Sequence, residues 1–327
     1  MLDNTNKTLS QGPASSTHAS EPEQVSPTPV SPTPVSPTHV SAPSATAPVV
    51  PVSKAQVAPP DRLTTLRVLC FGDLIGIAGC TAFQKHAMRL KREYDAQLII
   101  VNGENAAPNG RGITSKTVAS LRHCGANIIT GGNHSFDQRD SYPLLEEKGT
   151  LLRPANFPNA CPGTGVGLFT LGSLKIGVIN VQGRVYMRQD IDCPFKLADS
   201  ALTYLQSQTN IIIVDMHAEA SSEKIGLGYH LDGRVSLVFG THTHVQTADE
   251  RILPKGTGFI TDIGMAGSLN GMIGMKKETV MAQLLTQMPV KFETDTEPPF
   301  IITGIVADID TVTGKAIKVE RFVVIDE

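Results

Sequence analysis

The chain has 327 residues, 40% of them hydrophobic, and a formal net charge of −3. That length suits one large domain or two small ones, and the charge balance excludes a bulk basic field for holding extended nucleic acid. No apolar run approaches a membrane span, and the five cysteines (Cys70, Cys80, Cys124, Cys161, Cys193) are scattered without a CxxC pair, as in a reduced, cytoplasmic chain.

The first residues, "MLDNTNKTLSQGPASSTHAS", have neither a basic start nor an apolar core and do not read as a signal peptide. Residues 1–60 carry the near-verbatim repeat "VSPTPVSPTPVSPTHVSAP". Pro fixes the backbone and lacks a donor, and Ser and Thr bury little, so this segment reads as a disordered Pro/Ser/Thr-rich tail. His18 and His39 fall in it as isolated polar positions.

From Arg67 the pattern turns compact. "RVLCFGD" predicts a strand ending in Gly-Asp, and "CTAFQKHAMRLKREY" has helical spacing. "AQLIIVNGEN" is a second strand, and "TSKTVASLRHCG" a helix with Thr114 or Ser115 as cap and Gly125 as stop. "ANIITGGNH", "SLKIGVINVQGR", "TNIIIVDMHAE" and "RVSLVFGTHTH" predict further strands. The C-terminal "TGFITDIG", "FIITGIVADID" and "KAIKVERFVVIDE" read as strands with little helix between them. β-Branched runs separated by helices make an α/β core, its domain spanning 67–327, with a mixed or second packed sheet.

Each central strand ends on a side chain able to hold a metal: Asp73, then Glu104 and Asn105, then Asn133 beside His134, then His217, then His242 and His244. Ligands of open α/β sheets bind outside the carboxyl ends of strands. The remaining histidines of the core, His86, His123 and His230, fall on predicted helices and read as surface or packing residues. Taken singly, each candidate has a plain structural reading: Asp73 a helix cap, Asn105 a turn residue, His217 a core histidine. Together they make an oxygen and nitrogen set without cysteine, which suits Fe, Mn or Zn rather than a structural thiolate zinc site. Six or seven ligands are too many for one such ion, whereas two ions roughly 3.5–4 Å apart would use them all. Glu104 is the natural bridge, and a His-x-His pair on a strand would put His242 and His244 on one face, one for each ion.

The order Asp73, Glu104-Asn105, Gly-Asn133-His134, His217, Gly-Thr-His242-Thr-His244 resembles the calcineurin-like metallophosphoesterases. The text "FGDLIG", "NGENAA", "GGNH", "LLRPANFP", "NVQGR", "DMHAEASSEK", "VFGTHTHVQTADERILPKGTGFITDIGM" and "IGMKKE" is similar to the bacterial YmdB-like group, from about Arg67 to the C-terminus. The resemblance implies an α-β-β-α sandwich of two packed mixed sheets flanked by helices. It implies two divalent or mixed-valence metal ions, Fe or Mn before Zn. Metal one would take Asp73, Glu104, Asn105 and His244; metal two would take Glu104, Asn133, His217 and His242. His134 would be the proton donor, with Asp137 orienting it or capping a helix. Two features set this group, and this chain, apart from other metallophosphoesterases: Ile75 follows where Asp-x-His is usual, and Glu104 replaces a bridging Asp. One departure lies in "GMAGSLNGMIGMKKE", where Leu269-Asn270-Gly271 replaces an aromatic-Asp-Ser run; that bears on substrate preference.

The resemblance further implies hydrolysis of small phosphodiesters, 2′,3′-cyclic nucleotides first among them, with no membrane or extended nucleic-acid partner and compatibility with a homo-oligomer. Arg153 and Arg184 are candidate phosphate contacts, with surface or salt-bridge roles as the alternative. Ser135 has no Gly-x-Ser-x-Gly elbow and does not read as a nucleophile. The alternative class is a regulatory protein that senses a nucleotide through the metal site, its turnover incidental.

Overall fold

The computed structural model describes residues 50–51, 63–147 and 150–326. The Pro-rich tail therefore lies outside the described residues except for Val50–Pro51. These two form a short strand, β1, parallel to one edge of a sheet. An open sheet edge offers unpaired backbone groups that a short extended segment can satisfy.

Two seven-stranded mixed sheets make up the core. The first contains β2 (Thr65–Phe71), β3 (Asp73–Leu74), β4 (Leu98–Asn102), β5 (Ile128–Thr130), β12 (Met265–Ser268), β13 (Phe300–Asp310) and β14 (Ala316–Asp326), in the order β3-β12-β13-β2-β4-β5 with β14 against β13. The second contains β1, β6 (Val166–Leu171), β7 (Leu174–Gln182), β8 (Ile212–His217), β9 (Leu237–Thr241), β10 (Arg251–Ile252) and β11 (Gly258–Ile260), in the order β1-β6-β7-β8-β9-β11-β10. The runs β2-β4-β5 and β7-β8-β9 are parallel. Parallel neighbours need crossovers, which are supplied here by α1 (Gly76–Glu93), α2 (Ser115–His123), α4 (Pro194–Leu205) and α5 (Ser221–Leu231). A short α3 (Tyr142–Glu146) and an outlying α6 (Lys277–Thr286) complete the helices among the described residues.

Period-2 alternation sorts the apolar side chains into three layers. Leu69, Phe71, Ile99 and Val101 face Phe83, Ala87 and Leu90 of α1 and Val118 and Leu121 of α2. Their neighbours Val68, Cys70, Leu98 and Ile100 face the other way, onto Ile176, Val178, Ile213 and Phe239 of the second sheet. Beyond that sheet, Ile179, Val181, Val214 and Val238 pack on Leu202 and Leu205 of α4 and Leu227 and Leu231 of α5. This is the expected α-β-β-α sandwich. Strands buried on both faces explain why the central runs are continuously apolar rather than alternating. Each buried Leu, Ile, Val or Phe contributes about 1.5–3 kcal/mol relative to exposure.

Local signals also hold. Thr114 is the cap of α2, its Oγ1 accepting from Thr117 N, and Gly125 follows the helix at φ +97°. The helix α6 was not expected. It buries no residue, so no core-facing periodicity marked it.

Candidate metal centre

The inter-sheet layer changes character along each parallel strand. On β8 the same face carries Ile213, Asp215 and His217 in turn; from β4 the sequence runs Ile100, Asn102, Glu104; on β7 it runs Val178, Asn180, Gln182. The apolar layer thus gives way to a buried polar belt, and the belt to the candidate ligands at the rim. Asp215 is the centre of the belt. It accepts from Thr130 Oγ1 at 2.5 Å, Thr241 Oγ1 at 2.8 Å and Asn102 Nδ2 at 3.1 Å. Burial raises the Asp215 carboxyl above its usual range. Sequence reasoning missed the belt. Its signal was a polar residue two positions before a ligand on the same strand face, as in "VDMH" and "VNGE".

At the rim, His217 gathers the candidates. Its Nδ1 lies 2.9 Å from Thr241 Oγ1, so the belt orients the ring. Its Nε2 lies 3.0 Å from Asn133 Oδ1, 3.1 Å from Glu104 Oε1 and 3.1 Å from His242 Nδ1. Asp73 Oδ1 stands 3.9 Å from His217 Nδ1, while Asp73 Oδ2 accepts from His242 N at 3.0 Å. Asn105 Nδ2 lies 3.0 Å from His244 Nε2, whose Nδ1 faces Ile273 O at 3.0 Å. Glu104, His217 and His242 present donor atoms all within 4.8 Å of one another. All seven candidates from the sequence therefore meet at one rim.

One expectation fails in its geometry. His242 and His244 are not on a strand, because β9 ends at Thr241. They sit in the following bend at φ +99° and +64°, a region that non-glycine residues rarely enter. Both imidazoles nevertheless reach the same rim, His242 by Nδ1 and His244 by Nε2. The loop after β12 also does more than expected: Ile273 O holds His244.

The electrostatics are those of a tightly coupled buried cluster of acids and imidazoles. Burial would raise Glu104, but His217 opposite, helped by the charge and backbone N–H of His134, holds its carboxyl down to about 2. Burial opposes charge on His217 too, yet Glu104, Asp73 and Asp215 hold it up to about 9. Burial pushes Asp73 well above the usual carboxylate range. His242 is pushed down to about 3 by burial and the nearby His217, and burial lowers His244, so the charged imidazolium is disfavoured at both.

Among the described residues, two buried oxygens here have no hydrogen-bond partner, Asp73 Oδ1 and Asn105 Oδ1, and Glu104 Oε1 meets only the His217 ring. Buried polar atoms are nearly always satisfied. Two orphaned acceptors, Asp73 Oδ1 and Asn105 Oδ1, flank a Glu104 Oε1 whose neighbour is the His217 ring at 3.1 Å, and such an oxygen-rich pocket fits divalent cations. Glu219 completes the outer arrangement, its Oε2 lying 3.1 Å from His242 Nε2. A carboxylate behind an imidazole fixes the tautomer that leaves the inner nitrogen free.

Beside this cluster, His134 N donates to Glu104 Oε2 at 3.0 Å. Its side chain is partly exposed, and its Nδ1 pairs with Asp137 Oδ2 at 3.0 Å, an oxygen that Arg111 Nε also approaches at 3.0 Å. Asp137 orients His134 and caps no helix; Gln138 precedes the short 3₁₀ turn. Ser135 Oγ is closed into its own turn by Gly132. Among the described residues, Arg153 makes no hydrogen bond to the cluster. Buried, it donates to Pro162 O, Pro154 O and Ala155 O, bonds that serve the structure of its own loop. Arg184 is exposed, its backbone N bound by Glu223.

The YmdB-like protein family profile matches residues 69–322. A 2′,3′-cyclic-nucleotide 2′-phosphodiesterase of Bacillus subtilis (strain 168) is 44% identical over 262 residues, covering 80% of this chain and 98% of that protein. Among solved structures, a novel phosphatase of Mycoplasma pneumoniae superposes with a TM-score of 0.76 at 33% identity, over 81% of this chain and 95% of the other. A hypothetical protein of Thermus thermophilus superposes with a TM-score of 0.73 at 35% identity, over 80% of this chain and all of the other.

Proposed function

The chain belongs to the YmdB-like family, and on that footing we propose that it is a metal-dependent phosphodiesterase acting on small phosphodiesters, 2′,3′-cyclic nucleotides above all. The observation that carries this reading is the convergence of buried oxygens of Asp73, Glu104 and Asn105, two of them without a hydrogen-bond partner, on His217, His242 and His244. Those residues and Asn133 would hold two metal ions, Fe or Mn before Zn on donor type, with Glu104 shared between them. When bound, such a pair supplies the Lewis acidity that makes water nucleophilic near neutral pH and neutralises the phosphoryl oxygens.

The chain's own residues supply the rest. His134 stands at the mouth of the cluster, anchored to Glu104 by its backbone and to Asp137 by Nδ1. With Nδ1 committed as a donor, Nε2 is the atom that gives up a proton. In a 2′,3′-cyclic substrate that proton goes to the ribose oxygen as its bond to phosphorus breaks, so that no free alkoxide leaves. The B. subtilis relative is named for cleavage on the 2′ side, and the same bond is the one proposed here. Gly132, having no Cβ, leaves the space in which Glu104 and His217 meet. A small strained diester suits a site with no broad basic groove.

The test is turnover of metal-stripped protein reloaded with Mn²⁺, Fe²⁺ or Zn²⁺, on 2′,3′-cyclic AMP, 3′,5′-cyclic AMP and bis-p-nitrophenyl phosphate. Metal-dependent hydrolysis strongest on the 2′,3′-cyclic substrate is expected. Tight nucleotide binding without turnover under every metal would overturn the reading in favour of a sensor.

A further inference from the structure

The bend that carries His242 and His244 is held from behind by a buried ion pair that the proposed chemistry does not use. Lys224 of α5 and Asp262, just after β11, are each about 1% exposed at the side chain, and Lys224 Nζ donates to Asp262 Oδ2 at 2.6 Å. Asp262 Oδ2 also accepts from Thr243 N at 3.2 Å and Thr243 Oγ1 at 2.7 Å. Thr243 is the residue between the two histidines. The other carboxylate oxygen, Oδ1, accepts from Gly264 N at 2.8 Å, and Gly264 O accepts from Asp73 N at 3.1 Å. One side chain thus ties together the backbone of three candidate ligands, Asp73, His242 and His244.

The pair is also placed by the fold. A Cβ at Gly240 would stand 2.7 Å from Lys224 Cδ, so the lysine stem runs tightly beneath the end of β9. The histidines that follow are in left-handed backbone conformations, which persist only when their surroundings over-determine them. Burying an acid and a base is costly unless they are paired and their remaining valences are filled. Here Asp262 receives four donors, and the paired lysine cancels its charge, so a neutral and rigid bracket stands behind a site for cations.

We propose that Asp262, charge-balanced by Lys224, is the positioning residue that sets His242, His244 and Asp73 for metal binding. The proposal rests on the metal-centre reading above. It predicts that losing the bracket lowers metal affinity in a protein that still folds.

Asp262→Ala alone would strand the buried Lys224, so the test uses double variants. Asp262→Ala with Lys224→Met removes both charges and every acceptor. Asp262→Asn with Lys224→Met removes the charges and keeps one acceptor oxygen. Thr243→Val removes a single hydrogen bond. Each is stripped of metal, checked for fold by circular dichroism and titrated with Mn²⁺, the parent alongside. The Ala/Met variant should bind Mn²⁺ about 10–100-fold more weakly, the range for residues that orient metal ligands. Asn/Met should recover most of that loss, and Thr243→Val should lose severalfold. Parent-like affinity in Ala/Met, or equal losses in Ala/Met and Asn/Met, overturns the role of Asp262 while leaving the metal centre standing. A parent that takes up no Mn²⁺ overturns both.

Discussion

A Cβ placed on Gly132 would stand 2.3 Å from His217 Nε2 and equally close to Glu104 Oε2. No side chain fits there, so the second glycine of "GGNH" is a requirement of the site and not of the turn. Its φ is not in the left-handed region; what matters is the space. Gly132→Ala should therefore push Glu104 and His217 apart. Forced overpacking of this kind costs about 1–3 kcal/mol, which a domain of this size tolerates. The expected outcome is a folded protein that retains little metal, checked by metal analysis beside circular dichroism. Parent-like metal content would mean that the cluster is looser than its geometry.

Glu104 has one oxygen bonded by His134 N and the other 3.1 Å from His217 Nε2, with no backbone or hydroxyl donor on it. A carboxylate shared by two cations neutralises both, and an amide cannot. Glu104→Gln keeps the shape and removes the charge, so metal should be lost before fold. Full retention of two ions per chain in the purified variant would exclude a bridging role.

Arg153 separates structure from chemistry. Burial lowers its pKa, and three carbonyls accept from its guanidinium. Arg153→Met leaves those carbonyls short of a donor, at a cost of about 1–3 kcal/mol. The melting temperature should fall by several degrees, while turnover per folded molecule changes less than about twofold. A large drop in turnover at unchanged stability would return Arg153 to the substrate.

Much of this architecture was legible because the physics that makes a parallel strand also marks its end. Runs such as "LIIVN" and "IIIVD" are continuously apolar because both faces are buried, and the first polar residues after them fall at the rim. That located Glu104, Asn133, His217 and His242 together. What was not legible depended on pairings between distant segments. Nothing near Lys224 in sequence announces Asp262, and nothing near Arg153 announces that its own neighbouring carbonyls would absorb it. The bend at His242 and His244 was misread as a strand because "VFGTHTH" alternates like one. The bend is met by Asp73, Asp262 and Ile273, which lie far away along the chain. Helix α6 escaped because none of its residues is fully buried, so no core-facing stripe marks it.

His134 is the residue whose removal separates binding from chemistry. No metal bond is assigned to its side chain, and its one bond to the cluster is made by its backbone N–H, which alanine retains. His134→Ala should therefore keep the metal. The proton it gives matters most when the leaving oxygen is a poor one, as a ribose oxygen is. General acid catalysis is worth about 10²–10⁴-fold, and a loss in that range is expected on 2′,3′-cyclic AMP. A p-nitrophenyl group leaves readily without a proton, so hydrolysis of bis-p-nitrophenyl phosphate should fall much less. Asp137→Ala, which removes the acceptor for His134 Nδ1, should reproduce the same split between substrates on a smaller scale. Equal losses on both substrates would remove His134 from the proton-donor role. Loss of metal in His134→Ala would make its side chain a ligand instead. No change on either substrate would leave "GGNH" as a turn that happens to pass the site.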